Sequence, residues 1–211
     1  MFPAEMLDRL VAEELEAHFP CATIGRRIIV LEQTTSTNDA ILQIPTANSD
    51  AGLVLFAEHQ TAGRGQRGNR WESAAGKGLW FSILLRPRIQ INDSGRLTIW
   101  AIEAISDVIR MEFSLEPAIK LPNDIQLYGR KVAGVLVEMR AQKKAPHLAV
   151  VGVGINVNQS VEDFPLELQS GAISLAMALH RPVDRRQFVV AVLRYLDRTY
   201  RERFTDEALQ S

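Results

Sequence analysis

Apolar positions in this chain follow two spacings, and the switches between them mark out the elements. Met6, Leu7, Leu10, Val11, Leu15 and Phe19 recur at helical intervals with acids between them, which predicts an amphipathic helix over residues 4–19. A β-branched run, Ile28-Ile29-Val30, predicts a strand over residues 27–33. Short polar residues from Thr34 to Asp39 then precede Ala40, Ile41, Leu42 and Ile44, as at a helix N-cap, with the helix ending at Pro45. Such a helix start also presents free backbone N–H groups that can bind a ligand. Residues 53–58 and 79–86 read as buried strands. Leu97, Ile99, Trp100, Ile102, Ile105, Val108 and Ile109 set a helix over 93–113. Short strands follow at 118–121 and 124–127, and Tyr128-Gly129-Arg130 turns tightly into a strand at 131–139, making a hairpin. Another apolar strand covers 147–153, and the tail holds a short helix at 173–179 and a long amphipathic one at 184–204.

Strands come mostly as neighbours or hairpins, with helices inserted singly. That order predicts an α+β fold with a mixed, mainly antiparallel sheet. Length and the absence of a linker, repeat or low-complexity tract predict one domain over residues 1–211, with residues 1–26 as an N-terminal helical extension.

Composition narrows the function. A net charge of −1 argues against broad, charge-driven binding to nucleic acid. Cys21 is the only cysteine, so no intrachain disulfide can form, which fits a reducing cytosol; it reads as a packing residue. Neither a membrane span nor a signal peptide is expected. His18, His59, His147 and His180 are scattered without metal-ligand spacing, so no zinc site is expected. Ser36 and Thr37 have no His/Asp set at a recognisable spacing, so they read as a cap or as ligand contacts and not as nucleophiles.

Against that neutral background, residues 60–71 concentrate three glycines and three arginines within eight positions, Gly63 to Arg70. Glycines allow sharp turns and expose N–H groups, and arginines offer planar forks of donors. The stretch reads as an anion cradle or as a solvated basic loop. Gly63-Arg64-Gly65-Gln66-Arg67-Gly68 satisfies G-x-G-x-x-G, but no helical period follows, so the dinucleotide reading is rejected. The loop from His59 to Gly78 is about 20 residues long, a length typical of functional or disordered segments.

Three further stretches carry candidate chemistry. Lys120-Leu121-Pro122-Asn123-Asp124 is either a proline turn or a set of groups for phosphate oxygens and a hydrated Mg²⁺. Lys131 opens a buried strand, as a solvated edge residue or as a cation pointing into a pocket, and Gly134 within that strand marks a bulge or a close approach. Gly152-Val153-Gly154-Ile155-Asn156-Val157-Asn158 ends a strand with paired asparagines, turn formers or amide contacts to a heterocycle. Trp71 and Trp80 read as packing, although Trp71 could stack on a base.

Taken in order, Ser36-Thr37-Asn38, the run from Gln60 to Gly68, Trp71 and Ser73, Lys120 to Asp124, Lys131 to Glu138 and Gly154 to Asn158 resemble the catalytic domain of the biotin protein ligases, over roughly residues 27–200. The resemblance implies a fold related to class II aminoacyl-tRNA synthetases and lipoate ligases. It implies two steps: biotin and Mg-ATP give biotinyl-5′-AMP, and the acyl group passes to a lysine of a biotin carboxyl carrier protein. It assigns Arg64, Lys131 and Asp124 to catalysis. Ser36, Thr37, Asn38, Gln60, Gly63, Arg64, Gly65, Gln66, Lys131 and Gly134 fall to biotin, and Arg67, Asn69, Trp71, Lys120, Asn123, Asp124 and Asn156 to the nucleotide. Mg²⁺ would come with ATP and not in a dedicated protein site. No DNA or membrane partner is implied; the expected state is a cytoplasmic monomer or homodimer.

This chain departs from the family pattern at Gln66, where several members have Arg, and at Leu121, where Trp is frequent. The N-terminus is too short for a winged helix, and the chain stops after the long helix, where an SH3-like β-domain is usual. That predicts a natural minimal ligase or a shortened chain. The alternatives are a lipoate or octanoyl ligase on the same scaffold, and a non-catalytic biotin- or nucleotide-binding regulator.

Overall fold

The computed structural model describes residues 8–45, 50–142 and 146–205. Along them run α1 (Ala12–Glu16), β1 (Ile28–Thr34), α2 (Thr37–Gln43), β2 (Val54–Gln60), β3 (Gly63–Arg64), β4 (Arg70–Trp71), β5 (Gly78–Leu85) and α3 (Ser94–Phe113). There follow β6 (Ala118–Lys120), β7 (Asp124–Leu127), β8 (Arg130–Arg140), β9 (Leu148–Asn156), α4 (Leu175–Leu179) and α5 (Arg185–Phe204). Seven strands form one sheet in the order β1-β2-β5-β9-β8-β7-β6, and β3 pairs with β4 apart from it. β1 and β2 are parallel, and every other neighbouring pair is antiparallel. The fold is therefore the α+β, mixed and mainly antiparallel sheet that the pattern predicts.

Successive strand residues point to opposite faces, and the two faces here have different jobs. On one, Ala149, Val151, Val153 and Ile155 of β9, with Phe81, Ile83 and Leu85 of β5, join the main core. That core is closed by α3 and α5. The buried stripe of α3 (Leu97, Trp100, Ala101, Ala104, Ile105, Val108) follows the helical period and packs on the strands. The Trp100 indole donates to Thr199 Oγ1 of α5 at 2.9 Å. Each fully buried side chain of this size contributes about 1.5–3 kcal/mol of apolar transfer. On the other face α2 covers only part of the sheet, where Ile41 packs on Leu53, Leu55, Leu84 and Val150. The rest of that face is left for the site.

Several elements differ from the pattern. Among the described residues the helix predicted over 4–19 is helical only at Ala12–Glu16, and Met6 and Leu7 lie outside them. Leu10 N–H donates to Glu58 Oε1 at 3.0 Å, which ties the segment to the sheet instead of to a helical partner. Leu10, Leu15 and Phe19 still join the main core. Cys21 is exposed and does not pack. β9 runs on to Asn156, because its glycines continue pairing with β5 and β8. The short C-terminal helix starts at Leu175, capped by Ser174 Oγ accepting from Met177 N. The loop after β2 is not structureless: it folds back as the β3–β4 ribbon around a 3-10 turn at Gln66–Gly68, with Arg67 at φ 57°. Tyr128 (φ 53°) and Gly129 (φ 75°) form the hairpin turn between β7 and β8, both in the left-handed conformation that a primed two-residue turn needs.

Candidate active site

A row of glycines makes the floor. Register places Trp80, Gly154, Gly134 and Asp124 side by side across β5, β9, β8 and β7, and Ser82, Gly152 and Leu136 in the next row. A Cβ on Gly154 would come within 2.4 Å of the Trp71 ring, and one on Gly134 within 3.0 Å of both Trp71 and Lys131. A Cβ on Gly152 would come within 2.2 Å of Asn38 Oδ1. The bare backbone thus lets an indole and an amide lie directly on the sheet.

Above this floor runs one connected polar chain. Gln60 Oε1 accepts from Thr37 N–H (2.8 Å) and Thr37 Oγ1 (3.2 Å). The Ser82 hydroxyl donates to Asn38 Oδ1 at 2.6 Å and lies 2.8 Å from Thr37 Oγ1. Asn38 Nδ2 donates to Glu138 Oε2 at 2.7 Å. Glu138 in turn takes both ends of the Arg64 fork, Nη1 at 3.0 Å and Nη2 at 2.7 Å, while Nη2 also donates to Asp39 at 2.8 Å. Ser36, Thr37, Asn38, Gln60 and Ser82 are all buried. Buried polar groups at this density persist only when each is bonded, and a satisfied network holds its members in place. Ser36 stands at the N-cap of α2 without a side-chain cap bond; Gln60 serves the Thr37 N–H instead. Ser73 fixes the ribbon's return, its Oγ donating to Gln60 O and accepting from Gln60 N.

The two cations stand apart. The bond to Glu138, opposed by burial, holds the Arg64 guanidinium above its usual basicity, so it stays charged throughout the physiological range. Lys131 Nζ lies 2.7 Å from Asp124 Oδ1 and 5.1 Å from the centroid of the Trp71 ring. Lys131 N–H is held by Gly171 O, and Asn123 bonds twice to the free edge of β8, giving Nδ2 to Val135 O and its own carbonyl to Val135 N–H.

The structure brings Ser36, Thr37, Asn38, Gln60, Arg64, Gly65, Trp71, Asn123, Lys131 and Gly134 around one small cavity. Gly63 is buried at the start of the ribbon, and Asp124 stands beside the cavity through Lys131. Gln66, Arg67 and Asn69 sit at the ribbon's tip, with Arg67 and Asn69 exposed. Lys120 is exposed on the edge strand β6, opposite Asp124. Asn156 is buried, its amide donating to Ile173 O and its oxygen accepting from Gln159. Asn158 bonds Val183 in both directions and is a loop fastener. The sequence gives no site role to Asp39 or Ser82, and holds Glu138 and Gly152 only as members of longer motifs without a role of their own. Ser82 carries a signal, since a hydroxyl inside an apolar strand must find a partner. Glu138 shares the strand face of Gly134 by period two.

The comparisons with known proteins agree with this arrangement. The model of the biotin/lipoate A/B protein ligase family matches residues 30–156, from β1 through the glycine floor to the end of β9. The chain belongs to that family. It is 33% identical over 197 residues to the bifunctional ligase/repressor BirA of Bacillus subtilis, covering 93% of this chain and 61% of that protein. It is 34% identical over 177 residues to the biotin–[acetyl-CoA-carboxylase] ligase of Mycobacterium tuberculosis, covering 82% and 63%. The chain spans about three fifths of the length of these curated relatives. Among solved structures it resembles the biotin protein ligase from Aquifex aeolicus in complex with biotin and ATP, with a TM-score of 0.71, 28% identity, and 84% of this chain and 71% of that one covered.

In this member of the biotin/lipoate ligase family the pocket is narrow. Its volume is about 40 Å³, room for a water, whereas small-molecule pockets span roughly 300–1,000 Å³. The Trp71 indole lies against the glycine floor of the pocket, with its N–H buried and without an acceptor among the described residues. Such a pose forfeits about 1–3 kcal/mol. A larger cleft of about 770 Å³ lies on the helix side among α1, α3 and α5 and contains none of the predicted site residues.

Proposed function

We propose that this protein activates biotin with ATP and transfers it to a lysine of a biotin carboxyl carrier protein. The observation that carries the reading is the buried polar chain from Gln60 to Arg64, laid on a glycine floor with a second cation, Lys131, at its other side. Two substrate anions must meet in the first step, and fixed cations offset their repulsion. A biotin carboxylate oxygen attacks the α-phosphorus of ATP, the bond to the β-phosphate oxygen breaks, and pyrophosphate leaves. In the second step the carrier's lysine amine attacks the acyl carbon, its proton is released, and AMP departs. No enzyme nucleophile is needed.

Thr37, Asn38, Gln60 and Ser36 read the polar end of biotin, with Gly63, Gly65 and Gln66 shaping the ribbon around it and Gly134 leaving room for it. Arg64 and Lys131 meet the carboxylate and the α-phosphate, and Asp124 orients Lys131. Trp71 joins Arg67, Asn69, Lys120, Asn123 and Asn156 on the nucleotide side. Mg²⁺ enters as part of the nucleotide substrate. The ribbon beside the pocket excludes water from the mixed anhydride. The reaction belongs in the cytoplasm, where the single thiol of Cys21 stays reduced.

The test is pyrophosphate release by the purified chain with biotin and Mg-ATP, followed by mass spectrometry of a carrier domain. Biotin-dependent release and a single acyl addition are expected. Release that responds to lipoate and not to biotin, or no release at all, refutes the reading.

A further inference from the structure

Arg64 holds more acid than its charge can balance, and the two acids are not equivalent. An arginine has five N–H donors. Three are engaged here: one on Nη1 with Glu138, and both on Nη2, shared between Glu138 and Asp39. What remains, the Nε–H and the outer Nη1–H, lie on opposite sides of the guanidinium and cannot form a fork. A substrate carboxylate therefore gains a two-point grip on Arg64 only by removing one resident carboxylate.

Geometry decides which one yields. Glu138 binds end-on through both oxygens, and its Oε2 is shared with Asn38 of the buried chain. Asp39 touches Arg64 through one oxygen from the first turn of α2 and is 45% exposed. Exposed single ion pairs are worth about 0.2–1 kcal/mol, and bidentate charge-assisted ones are stronger. Release of Asp39 frees the Nε/Nη2 fork while Glu138 still aims the guanidinium.

We propose that Asp39 is the resident stand-in for the substrate carboxylate on Arg64, displaced when the acid binds, and that Glu138 is the positioning residue that keeps Arg64 aligned. The proposal rests on the biotin reading above and adds a prediction of opposite sign for two acids on one arginine. Asp39→Asn removes the competitor and lowers the dissociation constant for biotin by up to about fivefold, the span of an exposed ion pair. It lowers KM in the pyrophosphate assay, as removal of a ground-state competitor does. Glu138→Gln keeps an acceptor for Asn38 but loses the charged clamp, and weakens biotin by about tenfold.

The experiment is titration calorimetry of the full chain and both variants, with biotin and with biotinamide, which lacks the anionic group. Melting temperatures serve as the folding control. Biotinamide affinity is expected to be the same in wild type and Asp39→Asn. An Asp39→Asn variant that binds biotin no better than wild type, or that gains equally for biotinamide, overturns the proposal. So does a Glu138→Gln variant with wild-type affinity. Failure of wild type itself to bind biotin or biotinamide instead refutes the functional reading beneath it.

Discussion

Gly152→Ala tests whether the floor must be bare. The added Cβ would lie 2.2 Å from Asn38 Oδ1, 2.9 Å from its Cγ and 3.0 Å from its Nδ2. Asn38 is 3% exposed and sits in α2, which is packed on the sheet through Ile41, so its amide has to leave. It then forfeits the 2.6 Å bond from Ser82 and the 2.7 Å bond to Glu138. A neutral hydrogen bond contributes about 1 kcal/mol and one to a charged group about 1.5–3. Gly-to-Ala replacement at an ordinary φ returns about 0.4–1 kcal/mol through the unfolded chain. The net loss is about 2–3 kcal/mol, a fall in Tm of about 4–12 °C for a chain of this size. Biotin affinity should drop at least tenfold, because the reading amide is no longer in place. Scanning calorimetry and biotin titration on the same preparation check both numbers. A Tm within 2 °C of wild type together with an affinity within about twofold, the noise expected of a surface change, would refute the argument that the amide lies on Gly152 for a purpose.

Other perturbations probe the scaffold. Arg185→Ala should destabilise by about 3–5 kcal/mol, since Glu58, which accepts two bonds from Arg185 at 2.6–2.8 Å inside the protein, is left as an uncompensated charge; chemical denaturation measures it. Gly52→Ala places a Cβ 1.7 Å from Thr23 O at a φ of +92°, so soluble yield should collapse, and a wild-type unfolding midpoint would contradict the stated geometry. Burial opposes ionisation of Asp163, but the Lys77 ammonium and the Ser160 N–H and hydroxyl outweigh it and hold the carboxyl below its ordinary 3.8. Because the folded value is depressed, the stabilisation is present above 3.8 and is lost as pH falls through the folded value. Wild type should therefore exceed Asp163→Asn in stability by no more than about 1 kcal/mol at pH 6, and the gap should narrow as the pH falls below 3.8; a gap that does not narrow in acid contradicts the pairing with Lys77.

The fold was legible because its signals are local. Ile28-Ile29-Val30, the stripe from Leu97 to Ile109 and the Tyr128-Gly129 turn each state their own conformation within a few residues. The ribbon was not, because β3 and β4 have two residues each and are held by Ser73 and Arg70, whose bonds reach back to Gln60 and Thr61. The first helix misled for a similar reason: its apolar period is real, yet a single long-range bond from Leu10 to Glu58 competes with the helical turn. At the site, the glycines and basic residues could be listed from the sequence. Their partners could not, since Arg64 meets Asp39 and Glu138, 25 and 74 positions away, and only the packing of α2 on the face of β8 and β9 brings those acids together. Nor does a motif reveal that a tryptophan within it lies against the glycine floor.

Strand β9 has a further consequence for how the protein tolerates change. Ala149, Val151, Val153 and Ile155 join the main core, Val153 also reaching the pocket wall, whereas Gly152, Gly154 and Asn156 belong to the pocket and its margin. Heritable variation along this strand should thus have a two-residue beat. Changes at the odd positions act on stability through the core, and side chains added at Gly152 or Gly154 act on the pocket and on stability together. A change in what the pocket holds, made at Gly152 or Gly154, therefore carries a stability cost that has to be offset elsewhere, because each added Cβ meets a neighbour at 2.2–2.4 Å.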